Sequence, residues 1–271
     1  MGFFRSGIGC HLSSQFSFIL ACAYQFGYIS CRIKVKFLSD IYMKMKREFF
    51  GVITGITSLL LATGFTAVAQ DKEVIKKNGF TLNWEIKDPN FPSALKTRMT
   101  ETFFKVYPVL KKQYNKNTAS EVTFVIDTAY KAVAEASNGR VLFSPSWFGK
   151  KPGDIDVVTH EVMHIVQDYG SNSGPWWVTE GIADYVRYTY GVDNAGADWT
   201  LPAYKAGQKY DQGYRITARF FVWLEKNGYP NFVKSMDKNM RAHTYTESTW
   251  RDITKKSLDE LWTAYQASPA I

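Results

Sequence analysis

The sequence predicts an α+β fold, with a small mixed sheet and one chemically distinctive helix in an N-terminal subdomain and a helical C-terminal subdomain. Three observations carry this reading. Apolar residues alternate at Phe80, Leu82, Trp84 and Ile86, and again at Val122, Phe124 and Ile126, the period of half-buried strands. From residue 154 onward apolar residues recur instead at helical spacing. The first of those helices carries H-E-x-x-H as His160, Glu161 and His164.

Taken in order, the chain divides into three parts. Residues 43–69 read as a secretory signal, with a basic M-K-M-K-R start, an apolar run from Phe49 to about Leu61, and Ala67-Val68-Ala69 before Gln70. The flanks and the cleavage pattern favour a cleaved signal over a membrane anchor. Residues 1–42 precede that signal, are read as an upstream extension outside the fold, and leave Met43 or Met45 as the expected start. Residues 70–271 form the expected domain, secreted or periplasmic once the signal is removed. Its length and the chain's 45% hydrophobic content support one substantial core, in two subdomains around a cleft.

Charge and cysteine content exclude several classes. Of the formal +8, a share of +5 lies in residues 1–69, leaving +3 for the domain with no clustered basic face, so nucleic acid is not an expected partner. Cys10, Cys22 and Cys31 all lie in the extension, so the domain has no disulfide, no cysteine nucleophile and no thiolate metal site.

Within the domain, residues 79–86 and 122–126 are strands, and 92–114 a helix that Pro108 should kink or divide. Asn138-Gly139 between 130–136 and 140–145 is a hairpin signal. The H-E-x-x-H helix has Asp154 as candidate N-cap and Gly170 as C-cap, with Ile155, Val158, Val162, Ile165 and Val166 as its apolar stripe. A second helix opens at Pro175 and stops at Gly191, and Glu180 and Asp184 share one of its faces. The loop 192–204 reads as a connection. A third helix spans 211–227, another runs through Phe232, Met236 and Met240, and Ser257 to Glu260 forms a capping box for the last.

Two histidines four apart on a helix can grip one metal ion, and an open zinc site needs a third protein ligand. Glu180 or Asp184, on the next helix, can supply it. Zinc lowers the pKa of a bound water from about 9 toward about 7. Glu161, adjacent to a ligand, can take that water's proton and pass it on to a leaving amine. Tyr210 and Tyr214, four apart at the start of the third helix, are candidates to stabilise an oxyanion, with core packing as the competing role. His243 is expected on an exposed loop. Gln167 and Asp168 are either supports of the site or solvated, and Trp147, Trp176 and Trp177 are read as wall or core.

These residues resemble the basic secretory proteins, the peptidases of plants and bacteria. The resemblance runs through H-E-V-M-H-I-V-Q at 160–167, E-G-I-A-D-Y-V-R at 180–187, G-Y-R-I-T-A-R-F-F at 213–221 and, more loosely, S-L-D-E-L-W-T-A-Y at 257–265, over roughly residues 78–266. The block around Glu180 also looks like the third-ligand helix of the wider glutamate-zincin group. The resemblance implies a zincin-like fold and an exported zinc metallopeptidase hydrolysing peptide bonds, with His160, His164 and Glu180 on the metal and Asp184 behind a ligand histidine. It implies that the strand before the metal helix borders the cleft and pairs with extended substrate. It favours Tyr214, which matches a tyrosine of the family. A Y-x-x-G turn at Tyr210 nevertheless resembles the oxyanion tyrosine of some zinc aminopeptidases, and His243 has no counterpart. Two alternatives stay open: a zincin-fold binding or envelope protein with little turnover, and a zinc aminopeptidase.

Overall fold

The structure is a computed structural model, and it describes residues 71–271. The signal-like run and the upstream extension lie outside the described residues.

Five strands form one mixed sheet in the order β1-β2-β3-β5-β4. β1 (Asp71–Lys77) and β2 (Phe80–Ile86) pair antiparallel. Their turn is Asn78-Gly79, with φ of 51° and 79°, the conformation a two-residue hairpin turn demands. That hairpin went unread in the sequence because β1, DKEVIKK, has little apolar alternation. α1 (Ser93–Gln113) then crosses over, as a parallel pairing requires, and β3 (Glu121–Ile126) lies parallel to β2. Pro108 does not divide α1, which continues through it. Buried Val106, Tyr107 and Leu110 anchor the helix on both sides of the missing N–H.

β4 (Ala134–Ser137) and β5 (Arg140–Phe143) form the hairpin expected at Asn138-Gly139, where φ is 49° and 72°. β5 pairs with β3 on one side and β4 on the other. The strand immediately before the metal helix therefore lies inside the sheet, and among the described residues β4 is the edge strand on that side. Leu82, Trp84, Phe124, Ile126, Val141 and Phe143 are buried against Met99, Phe103 and Leu110 of α1, with Trp84 and Phe103 meeting Phe124 edge-on at 5.3 and 5.6 Å. Such aromatic pairs add to the burial of their own area.

A short α2 (Pro145–Lys150) leads to α3 (Val157–Gln167), the H-E-x-x-H helix. Its N-cap is Asp156, not Asp154, and its C-cap is the left-handed Asp168 at φ 45°, two residues before Gly170. Asp154 is drawn elsewhere: its two oxygens accept from Arg187 Nη2 at 2.5 Å and Trp147 Nε1 at 3.0 Å. Asp156, fully buried, accepts from the backbone N–H groups of Val192 and Asp193 and so ties the loop after the next helix to the start of α3.

The C-terminal subdomain is all helical: α4 (Trp176–Tyr190), α5 (Tyr214–Lys226), α6 (Phe232–Arg241), α7 (Thr249–Thr254) and α8 (Leu258–Ala267). α8 carries the full capping box expected of Ser257 and Glu260. α5 starts at Tyr214 rather than at 211, because Gly213 at φ 73° breaks the chain direction and leaves Tyr210–Gln212 as a separate 3-10 turn. Trp177, Phe220 and Trp250 stack near parallel in this subdomain's core. The result is a zincin-like fold, with α3 packed beneath the sheet and α4 beside it. Among the described residues no helix is long and apolar enough to cross a membrane.

Candidate metal centre

α3 and α4 bring three donor atoms together. His160 Nε2 lies 3.1 Å from His164 Nε2 and 3.2 Å from Glu180 Oε2, and His164 Nε2 lies 3.5 Å from the same oxygen. Three ligands about 2.0–2.1 Å from a tetrahedral zinc ion sit roughly 3.3 Å apart. The triangle fits such an ion, and these residues are the group that could hold a metal among those described.

The histidine tautomers support the same conclusion. A carboxylate only accepts, so the 2.7 Å contact from His160 Nδ1 to Asp184 Oδ1 puts the proton on Nδ1. At His164 the Gln167 amide does this work. Its Nε2 donates to the Thr179 carbonyl at 2.9 Å, which turns Oε1 toward His164 Nδ1 at 2.7 Å. Both imidazoles thus turn Nε2 toward one point, with the second ring nitrogen fixed by a hydrogen bond, the usual arrangement behind metal-binding histidines.

The electrostatics favour an added positive charge. Burial opposes charging His160, yet the carboxylates of Asp184, Glu180 and Glu161 together outweigh it and the pKa is pushed up to about 10. Burial pulls Glu180 upward, but hydrogen bonds from both histidines hold it well below the usual carboxylate range. A proton or a metal cation would satisfy the same cluster. Glu161, one position from His160 and 5% exposed, is raised by its burial, with both histidines opposing the shift. Raised affinity for a proton is what a general base needs.

These groups face a cavity of about 1060 Å³. Ala134, Glu135 and Ala136 of the edge strand β4 line one part of it, and Trp147, Arg187 and Trp199 another. Residues 197–199 belong to the loop read from sequence as a mere connection. The loop lines the cleft because Asp156 grips its start and the Arg187 guanidinium lies over the Trp199 ring at 4.5 Å. A second cavity of about 860 Å³ shares Ala136, His164 and Tyr169 with the first in its lining.

Residues 65–265 match the family described as "Peptidase of plants and bacteria". The chain belongs to this family. No curated protein matches it. Among solved structures it is similar to the M1 zinc metallopeptidase from Deinococcus radiodurans, at 14% identity over 73% of this chain and 51% of that one, with a TM-score of 0.44. It is also similar to the aminopeptidase N family protein from Idiomarina loihiensis, at 10% identity over 72% and 46%, with a TM-score of 0.46. A third is native leukotriene A4 hydrolase from Saccharomyces cerevisiae, at 15% identity over 73% and 36%, with a TM-score of 0.38. The chain spans about half the length, or less, of these structures.

In this member of the peptidase family the two tyrosines read from sequence part company. The Tyr214 ring lies parallel to His160 at 6.2 Å and lines the cavity. The Tyr210 ring packs against Trp177 at 5.4 Å and Trp262 at 5.9 Å, and its hydroxyl reaches Asp259 at 3.5 Å. They do not share a helical face, because Gly213 separates their elements. His243 is exposed, as expected. Arg187 pairs with Asp154 rather than with Asp184, leaving Asp184 to His160. Gln167 was undervalued in the sequence. Its position three residues after His164 on one helix face is the signal that marks it. Asp168, by contrast, is exposed.

Proposed function

We propose that this chain is an exported zinc metallopeptidase that hydrolyses peptide bonds. The convergence of His160 Nε2, His164 Nε2 and Glu180 Oε2 with both outer ring nitrogens already bonded is the observation that carries the reading. Zinc held there would act as a Lewis acid on the scissile carbonyl and make water a better nucleophile. Glu161 takes the proton of the attacking water and returns it to the leaving amine. Its burial keeps it from being levelled by solvent and supports that role. Asp184 and Gln167 hold the two imidazoles in one tautomer and orientation. Tyr214, whose ring lies parallel to that of His160, has its hydroxyl available to stabilise the developing oxyanion, and the outer edge of β4 is available to align an extended peptide. Export rests on the signal-like run at 43–69.

Metal analysis with a peptide-library digest of wild type and Glu161→Gln tests the reading. Wild type should carry about one zinc per chain and cleave peptides. The variant should keep the zinc and lose activity by several orders of magnitude, on the scale of losing a principal catalytic group. Zinc retained by wild type with no hydrolysis across the library would favour a binding protein instead.

A further inference from the structure

Trp176 is neither wall nor core. It is 58% exposed, whereas its neighbour Trp177 is 8% exposed and stacked on Trp250. Tyr214 is 51% exposed, and the two rings touch at 6.2 Å with planes 56° apart. Single exposed aromatics are ordinary, but two in contact beside a cleft form a continuous apolar surface. The surface joins the cavity through Tyr214, whose other neighbour is His160.

The backbone beneath this pair is strained. Gly213 has φ 73°, and a Cβ added there would come within 2.6 Å of the Trp176 indole, so only glycine lets the ring settle against the chain. Tyr214 itself sits at φ 48°, an unfavourable region for a bulky residue. Strain of this kind persists where the surrounding structure enforces it, and it gathers at sites that bind or react. Here it fixes two aromatic rings that the fold leaves in water.

We infer that Trp176 and Tyr214 form a shelf that selects a large apolar or aromatic side chain of the substrate, next to the scissile bond. The inference rests on the peptidase reading for its substrate class, and it makes Trp176 a specificity-determining residue. An aromatic side chain laid on the indole would remove from water the apolar surface of both partners, a gain that a methyl group or a carboxylate cannot match.

Binding and turnover are measured separately to test it. Zinc-loaded Glu161→Gln protein is titrated with fluorescein-labelled octapeptides that carry Phe, Ala or Asp at each central position in turn. At one position Phe should bind about 10-fold tighter than Ala, the scale on which an apolar pocket discriminates. Adding Trp176→Ala should bring that ratio down toward one at unchanged zinc content, and Trp176→Phe should restore part of it. A Phe preference that survives in Trp176→Ala, or no preference at any position, overturns the shelf. Wild-type protein is digested against the same peptides in parallel. Phe-selective binding without hydrolysis would sink the peptidase reading and leave the shelf standing. Hydrolysis without Phe selectivity in binding would do the reverse.

Discussion

Asp184 Oδ1 accepts a hydrogen bond from His160 Nδ1 at 2.7 Å, while Glu180, one turn earlier on the same helix, turns Oε2 toward Nε2 of the same ring at 3.2 Å. One imidazole is held from both sides by two carboxylates with opposite tasks. Glu180 shares the point where a metal would sit, and Asp184 sets the ring.

That division predicts different losses. Glu180→Ala leaves two histidines as the donor set, so zinc should be largely lost on dialysis and turnover with it. Asp184→Asn keeps a hydrogen-bonding side chain and should weaken zinc about 10–100-fold, with recovery of metal at saturating zinc. Zinc stoichiometry and affinity of both variants decide between the roles; full retention in Glu180→Ala with loss in Asp184→Asn would reverse the assignment.

The same cluster predicts a pH signature. In chelated protein His160 is raised from its ordinary 6.5 to about 10, so it carries a proton at neutral pH. Loading zinc at pH 7 must displace that proton, and zinc affinity should climb as pH rises. Calorimetry in buffers of different ionisation enthalpy should report about one proton released per zinc. The sign for stability is the opposite. A raised histidine stabilises the metal-free fold fully below pH 6.5, and that contribution fades as pH rises through about 10. The lowered Glu180 adds stability above its ordinary 4.5 and loses it in more acidic solution. Metal-free protein should therefore melt highest between these limits. A flat melting temperature across pH 6–10 would contradict the coupling.

Gly181 follows the third donor and lets α4 approach α5 closely. A Cβ there would lie 2.3 Å from Thr217 Cγ2 and 3.0 Å from Phe221, both buried. Gly181→Ala should cost about 1–3 kcal/mol through overpacking. Because Glu180 is the adjacent residue, zinc affinity should fall as well. Denaturant unfolding of the metal-free variant separates the two effects, and wild-type stability would show that the helices yield without strain.

Export predicts a mature N-terminus at Gln70 or within a few residues of it, from the A-x-A pattern ending at Ala69. N-terminal sequencing of protein from the native host checks this, and an intact Met1 would rule it out.

Much of the site was legible from local spacing. Residues four apart on a helix share a face whatever surrounds them, so His160 with His164 and Glu180 with Asp184 could be paired before any fold was known. The turn at Asn138-Gly139 and the capping box at Ser257 were legible for the same reason, since their geometry closes within four residues.

What only the tertiary structure decided involves partners far apart in the chain. Spacing alone left Glu180 and Asp184 as rivals for one role, which only the family resemblance separated; the crossing of α3 and α4 sends one to Nε2 and the other to Nδ1. Asp154 reads as a helix cap until Arg187, 33 residues later, claims it. Among the described residues β4 becomes the edge strand through the pairing of β5 with β3, and strand order is not written in the period of either strand. Tyr210 and Tyr214 look equivalent until a left-handed glycine between them turns one ring into the core and the other toward the cleft. Trp176 and Trp177 are identical neighbours, and only the packing of α4 buries one and leaves the other in water. Local periodicity fixes which side chains can act together. Which atom each one meets depends on the relative placement of whole elements, set by the packing of a core shared across the chain.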